Sequence, residues 1–534
     1  MSSINTIVLV ASSTVALYCI NLYLGMRRAS KDIGDHPGSR TVIIGASYLG
    51  NVLPRIRGVA PGSNMHMRQK HADFDEAGWD AYANVSAWPQ PKVVINFADA
   101  ATIKEITTSR SRFPKPVQQY TVLTFFGRNI VASEHEEWKR YRKISAPAFS
   151  ERNNKLVWDE TVQIMIDLFD NVWKNKQEIA VDHCVDITLP VRSISVPGYL
   201  YTKHSVLKIA LFVIGVAGFG RRISWNDDLK IPPGHKMTFK DALHVVSSDV
   251  FLKLVVPDYA MGLTERLRNV RLAFEELDAY MLEMIRARRN AEKTEERYDL
   301  FSSLLEASED TSDGEPALTD SELWQGADFL STTGNIFIFL VAGHETTAHT
   351  LCFTFAMLAL YPEVQDRLYE QIKTLMPDPA RIPTYDEMPK YTYSMAVFYE
   401  TLRMFPPVVG IPKESAEDTS LNVSNAAGET TTIPIPRGTA LAIHTPGLHY
   451  NPRYWENPHE FKPERFLGDW NRDAFLPFSA GARACLGRRF FETEGIAILT
   501  MLMSRYSVAV KEEPQFAGET FEQRRARVTA SGRV

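Results

Sequence analysis

Cys485 sits at the centre of the run FSAGARACLGRRF, Phe478 to Phe490, and is one of four cysteines in a chain of 534 residues. A lone cysteine can be a small buried hydrophobe, a nucleophile or a metal ligand. Zinc is disfavoured, because no C-x-x-C or H-x-x-x-H set accompanies it. A nucleophile would want a His-based partner set, which residue order alone does not exclude. The neighbourhood suits a thiolate. The stretch LGRRFFETEGIAILTMLMSRY reads as a helix beginning beside the cysteine, whose N-terminal dipole and open N–H groups favour negative sulfur. Gly481 and Gly487 let backbone approach a flat ligand, and Arg483 can pair with an anionic edge.

The spacing Phe-x-x-Gly-x-Arg-x-Cys-x-Gly, filled here by Phe478, Gly481, Arg483, Cys485 and Gly487, resembles the haem-binding loop of cytochrome P450 enzymes. At average residue usage, five such fixed positions recur by chance on the order of once in ten thousand chains of this length. The resemblance implies that Cys485 ligates the iron of haem b (iron protoporphyrin IX) and that Arg483 holds a propionate.

Other stretches fit the same family in order. VAGHETTAHTL, Val341 to Leu351, lies in a long apolar helix read from Asn335 to about Tyr361. A helix apolar all round is buried, so Glu345, Thr346 and Thr347 need a reason to be there. One is local: a threonine hydroxyl bonded to its i−4 carbonyl, that of Ala342 for Thr346, with Gly343 easing a bend. The resemblance implies another, in which the helix opens over the haem and Glu345 and Thr346 relay protons to bound oxygen. His344 is read as a helix-face residue rather than an iron ligand.

HEEWKRYRKISAPAF places Trp138 and Arg142 at i,i+4 on one face, matching the family's propionate-holding Trp-x-x-x-Arg; His135 precedes as a further propionate partner. Glu400-x-x-Arg403, ahead of FKPERF with Arg465, matches the family's buried ion network, a structural role. One departure stands out. The basic residue often found seven positions after that arginine is Gly410 here, and Lys413 follows slightly later, so the propionate set is incomplete or rearranged.

These residues must be positioned by a mainly α-helical fold with a small β-sheet, the cytochrome P450 fold. Strands are expected near Lys92–Asn96 and across Thr430–Ile443. The net charge of −5 and the lack of a basic tract exclude a typical nucleic-acid binder. Unpatterned cysteines indicate a reducing compartment. IVLVASSTVALYCINLYLGM, Ile7 to Met26, is uncharged and about 30 Å long as a helix, enough to span a bilayer. Arg27, Arg28 and Lys31 follow, so the positive-inside rule puts the N-terminus in the lumen and the remainder in the cytosol. A cleaved signal peptide is the rival, though it would want a basic region before the apolar run. The expected organisation is an anchor at 1–31, a linker and entry segment at 32–64 and a catalytic domain at 65–534. Two stretches interrupt otherwise continuous helices, 190–207 and 324–333; they read as insertions, either retained non-coding sequence or surface loops.

The implied activity is a monooxygenase of the endoplasmic reticulum membrane, resembling fungal microsomal members. It would insert one oxygen atom from O2 into a hydrophobic small molecule, in secondary metabolism or xenobiotic oxidation. No flavin or nicotinamide segment is visible, so electrons would come from NADPH through an external FAD/FMN reductase, NADPH-cytochrome P450 reductase. Lys139, Arg140, Lys143, Arg488 and Arg489 form a candidate basic docking patch, with plain solvated charge as the alternative. An isomerase or dehydratase on the same scaffold would typically lack the acid–threonine pair, whereas a haem protein without activity would draw on the two interruptions.

Overall fold

The structure, a computed structural model, describes residues 2–45, 50, 53–62, 65–179, 209–220, 231–290, 301, 327–378, 380–512 and 514–529. Along the chain come α1 (Ser2–Asp32), β1 (Arg40–Ile43), β2 (Ala81–Trp88), β3 (Lys92–Phe97), α2 (Ala100–Thr108), α3 (His135–Ser145), α4 (Glu151–Asp167), α5 (Phe239–Val255), α6 (Glu265–Asn290), α7 (Ala327–Leu360), α8 (Thr392–Met404), β4 (Gly410–Glu414), β5 (Thr419–Ser424), β6 (Thr430–Ile435), β7 (Ala440–His444) and α9 (Arg488–Met503). The architecture is mainly helical with two small sheets, as expected.

The uncharged N-terminal run folds as one helix with its apolar side chains outward: Ile7, Leu9 and Leu17 are 67%, 68% and 68% exposed. Two of its polar side chains are satisfied internally. The Ser12 and Thr14 hydroxyls donate to the carbonyls of Val8 and Val10, at 2.7 and 2.9 Å. Both the unburied apolar surface and this self-sufficiency fit a membrane anchor. The helix stops after Asp32, where Gly34 at φ +68° donates back to the Lys31 carbonyl at 2.9 Å.

The chain divides into two units, one of Met1–Pro116, Leu402–Phe461 and Asp469–Cys485, the other of Val117–Thr401, Lys462–Gly468 and Leu486–Val534. The first holds both sheets. Its larger sheet has the order β1-β2-β3-β7-β4, and β5 pairs with β6. β2 and β3 form an antiparallel pair with Ala81 opposite Phe97, while β7 joins β3 in parallel with Ile443 opposite Phe97. The strand region expected over Thr430–Ile443 is two strands in different sheets, parted at Gly438, whose φ of +81° suits a turn.

The second unit is helical. α7 is about 50 Å long and buries Ile336, Phe337, Leu340, Leu351, Phe355 and Leu358. It starts earlier than the sequence suggests: residues 327–333, expected within an interruption, are its first two turns. Residues 324–326 and the whole of 190–207 lie outside the described residues. Every residue of α9 from Phe490 to Met503 is buried. α9 meets α8 at Gly495, where an added Cβ would lie 2.3 Å from the Phe398 ring. Gly495→Ala should therefore force the ring aside and cost about 1–3 kcal/mol, read as a lowered urea midpoint.

Candidate active site

The cysteine loop belongs to the first unit and is shaped by its main chain. Ser479 adopts φ +57° and Gly481 φ +64°. The Ser479 N–H donates to the Leu476 carbonyl at 3.2 Å, the Ala484 N–H to the Gly481 carbonyl at 3.1 Å and the Cys485 N–H to the Phe478 carbonyl at 2.9 Å. Gly481 is required here, because a Cβ would come 2.4 Å from the carbonyl oxygen of Thr107 at the end of α2. Phe478 and Arg483 are half-buried, and Cys485 is exposed. Gly487 differs. Its φ is an ordinary −82°, and a Cβ would sit 3.7 Å from Phe149, so the protein's own packing does not demand glycine there.

Arg403, on α8, is fully buried. Its guanidinium donates to the carbonyls of His449 and Pro458 at 2.9 Å each and to that of Glu460 at 3.2 Å, with Tyr450 and Trp455 rings each 5.5 Å away. In the second unit Glu400, also fully buried, accepts from the Lys462 N–H at 2.9 Å and pairs with Arg465 Nε at 3.4 Å. Arg403 thus organises backbone, and Glu400 organises backbone together with a countercharge.

In the second unit Trp138, buried on α3, packs with Tyr141, Ile130, Ile338 of α7 and Leu486, the residue after Cys485. Arg142 is half-buried one turn along. His135 opens α3 exposed and at φ +54°. The loop before α3 is pinned to α7, where the Ile130 N–H donates to Asn335 Oδ1 at 2.9 Å. At Gly334 a Cβ would be 2.5 Å from the Arg128 carbonyl oxygen. Lys413, the displaced basic residue, is buried in β4 of the first unit, opposite Leu441.

Within α7 the Thr346 hydroxyl donates to the Ala342 carbonyl at 2.8 Å, and Thr347 to Gly343 at 3.0 Å. The helix runs α-helical through this region rather than opening. Burial raises the Glu345 carboxyl above its ordinary range, partly offset by a hydrogen bond with the Ser247 hydroxyl of α5 and by His349 one turn on. His344 is buried, donates Nδ1–H to the Leu340 carbonyl at 2.7 Å and is pushed down to about 4 by burial. It is a core residue.

A haem fits this set on the chemistry of its donors. Among the described residues no three His, Cys, Asp or Glu side chains converge as a metal site. A metal at the exposed Cys485 thiol would have to bring its other ligands with it, as a porphyrin iron does. The sequence model of the cytochrome P450 family matches residues 62–521. "Cytochrome P450 monooxygenase 124" of Postia placenta is 54% identical over 97% of this chain and 95% of its own. The "Cyclooctat-9-en-7-ol 5-monooxygenase" of Streptomyces melanosporofaciens is 32% identical over 50% of this chain and 54% of its own. In fold the chain is similar to the crystal structure of the cytochrome P450DA heme domain, with TM-score 0.64, 22% identity and coverage of 87% of this chain and 90% of that one. The chain belongs to the cytochrome P450 family. It is a monooxygenase, an oxidoreductase of the haem-thiolate class that uses O2, a small-molecule substrate and a redox partner.

Sequence reasoning passed over Ser247, His349, His449 and Glu494. His349 was legible as the i+4 neighbour of Glu345, and Glu494 as a charge within the apolar run of α9; nothing local marks Ser247. Glu494 is fully buried beside Thr347, and burial holds its carboxyl well above the usual range. Below the ordinary glutamate value of 4.5 both folded and unfolded chains hold that proton, so the parent and Glu494→Gln should differ least there. As pH rises past it, the unfolded chain ionises while folded Glu494 stays protonated. The parent should therefore lose stability relative to the variant as pH rises above the ordinary glutamate value, measured by urea unfolding.

Proposed function

We propose that this chain hydroxylates, or otherwise oxygenates, a hydrophobic small molecule at the endoplasmic reticulum membrane, with its catalytic domain in the cytosol. Electrons would reach it from NADPH through a separate FAD/FMN reductase. The observation that carries the reading is Cys485: an exposed thiol on a loop whose main chain is hydrogen-bonded into one shape. Haem bound through a thiolate supplies the activation of O2, the sulfur donating electron density to the iron.

The protein's own residues do the rest. Cys485 would hold the iron through its sulfur, and Arg483, Trp138, Arg142 and His135 would hold the propionates. Phe478, Gly481 and Gly487 shape the loop. Glu345 is the proton donor of the pair; its raised carboxyl value keeps a proton available to higher pH than an exposed glutamate would. Ser247 orients that carboxyl. The Thr346 hydroxyl must leave the Ala342 carbonyl to pass a proton on, a rotation of one side chain.

An apolar substrate suits the second unit. Phe126 stacks on Phe274 of α6 at 5.5 Å and lies 4.6 Å from Phe337 of α7, with Phe125 edge-on to Phe274. The relative named for a cyclooctatenol supports an alicyclic substrate class. The proposed docking patch is partly neutralised by its neighbours: Lys139 is paired with Glu136 at 2.6 Å and Arg488 with Glu492 at 2.8 Å. Arg140 and Lys143 lie at the surface.

The reduced, carbon-monoxide-bound spectrum tests the reading. A red-shifted Soret band is expected in the parent and its loss in Cys485→Ser; a chain that takes up no haem would overturn the proposal. Thr346→Ala should keep the haem yet divert reducing equivalents to peroxide, raising the peroxide-to-NADPH ratio several-fold, about what loss of one positioned proton donor implies. Unchanged coupling would remove Thr346 from the relay.

A further inference from the structure

His449 is fully buried, 36 residues before the cysteine in a stretch to which the sequence assigns no chemistry. Its two ring nitrogens face different parts of the first unit. Nδ1 lies 3.0 Å from the main-chain carbonyl oxygen of Arg403, and Nε2 lies 2.9 Å from the backbone nitrogen of Leu476. A carbonyl can only accept and a backbone N–H can only donate, so the imidazole has one permitted form: Nδ1 protonated, Nε2 bare, the ring neutral. Phe475 stacks on the ring at 5.5 Å and an interplanar angle of 20°, which fixes its orientation. The Arg403 guanidinium holds His449 a second time, through the His449 carbonyl at 2.9 Å.

Leu476 is where the cysteine loop begins. Its N–H goes to His449 and its carbonyl receives the Ser479 N–H at 3.2 Å. Ser479 is the left-handed residue that turns the chain so that the Phe478 carbonyl can meet the Cys485 N–H. One imidazole therefore connects the most buried cation of the unit to the first bond of the loop carrying the sulfur.

We propose that His449 is a positioning residue for Cys485, a single-tautomer imidazole strut that registers the cysteine loop against the Arg403 backbone. The proposal rests on Cys485 as the iron ligand, the reading given above. The ring is suited to the task because it does not change charge in the working range: burial, helped by the Arg403 cation, pushes it down to about 3. A protonated ring would point a second N–H at that of Leu476 and break the strut.

Two substitutions in the full-length, haem-loaded chain separate the two ends. The amide nitrogen of His449→Asn falls near the position of Nδ1, keeping the Arg403 bond and losing the Leu476 bond. The amide oxygen of His449→Gln reaches the position of Nε2 and keeps the Leu476 bond. A buried donor left unsatisfied changes a local equilibrium about tenfold. His449→Asn should therefore shift the reduced carbon-monoxide complex about tenfold from the red-shifted toward the blue-shifted, thiol-ligated form. Leu476 amide hydrogen exchange should speed up by a similar factor, while His449→Gln, which keeps the Leu476 bond and loses only the Arg403 anchor, should move both readouts less. If Asn and Gln variants behave alike, His449 is only a packing residue and the proposal is overturned. If the parent itself shows no red-shifted band, the ligand reading fails instead. The exchange rate of Leu476 in the haem-free chain then decides the strut alone, and an unchanged rate in His449→Asn would overturn it.

Discussion

A guanidinium with no access to water imposes more on this fold than any other single group. Arg403 is fully buried, and a buried cation without complete hydrogen bonding costs about 3–5 kcal/mol. The first unit meets that demand with main chain. Three carbonyls between His449 and Glu460 turn inward to one side chain, and the stretch that supplies them is folded around it as a consequence. Glu400, one helical turn away in sequence, acts in the same manner with opposite sign, drawing in the Lys462 N–H and Arg465. The E-x-x-R spacing is thus two hubs, each collecting a different piece of backbone.

α7 faces a conflict between its two duties. As a core helix it must be apolar, yet the chemistry read for it needs an acid and an alcohol inside an apolar wall. The helix reconciles these by internal bonding. The Thr346, Thr347, Thr350 and Thr354 hydroxyls all donate to carbonyls four residues back, so each threonine presents little more than a methyl group to its surroundings. Glu345 has no such outlet along the helix. Its carboxyl meets Ser247 on another element and is left with a raised value. An acid that is hard to ionise is the direct result of placing it in a wall built for packing.

What the sequence revealed follows from how local each feature is. The cysteine loop and the Trp138–Arg142 pair are short spacings, visible because loop geometry and helical periodicity act within a few residues. The helical class and the strand at Lys92–Phe97 were legible for the same reason. The split of Thr430–Ile443 into strands of different sheets was not, since strand partners lie hundreds of residues apart: β7 pairs with β3. The start of α7 was placed too late because Trp324–Thr333 contains glycine and threonines, which have low helix propensity locally. Ser247 and His449 were invisible as site residues. Their meaning comes from partners on other segments, which no local pattern encodes.

The cysteine loop shows how such distant constraints reach one atom. Its main chain is held at both ends, the Leu476 N–H by His449 Nε2 and the Cys485 N–H by the Phe478 carbonyl. Only Gly481 is dictated by packing, through the Thr107 carbonyl at its back. Gly487, which packing does not require, is left to be explained from the ligand side. A ligand sulfur needs a fixed position, and the main-chain bonds that fold the loop back on itself provide one.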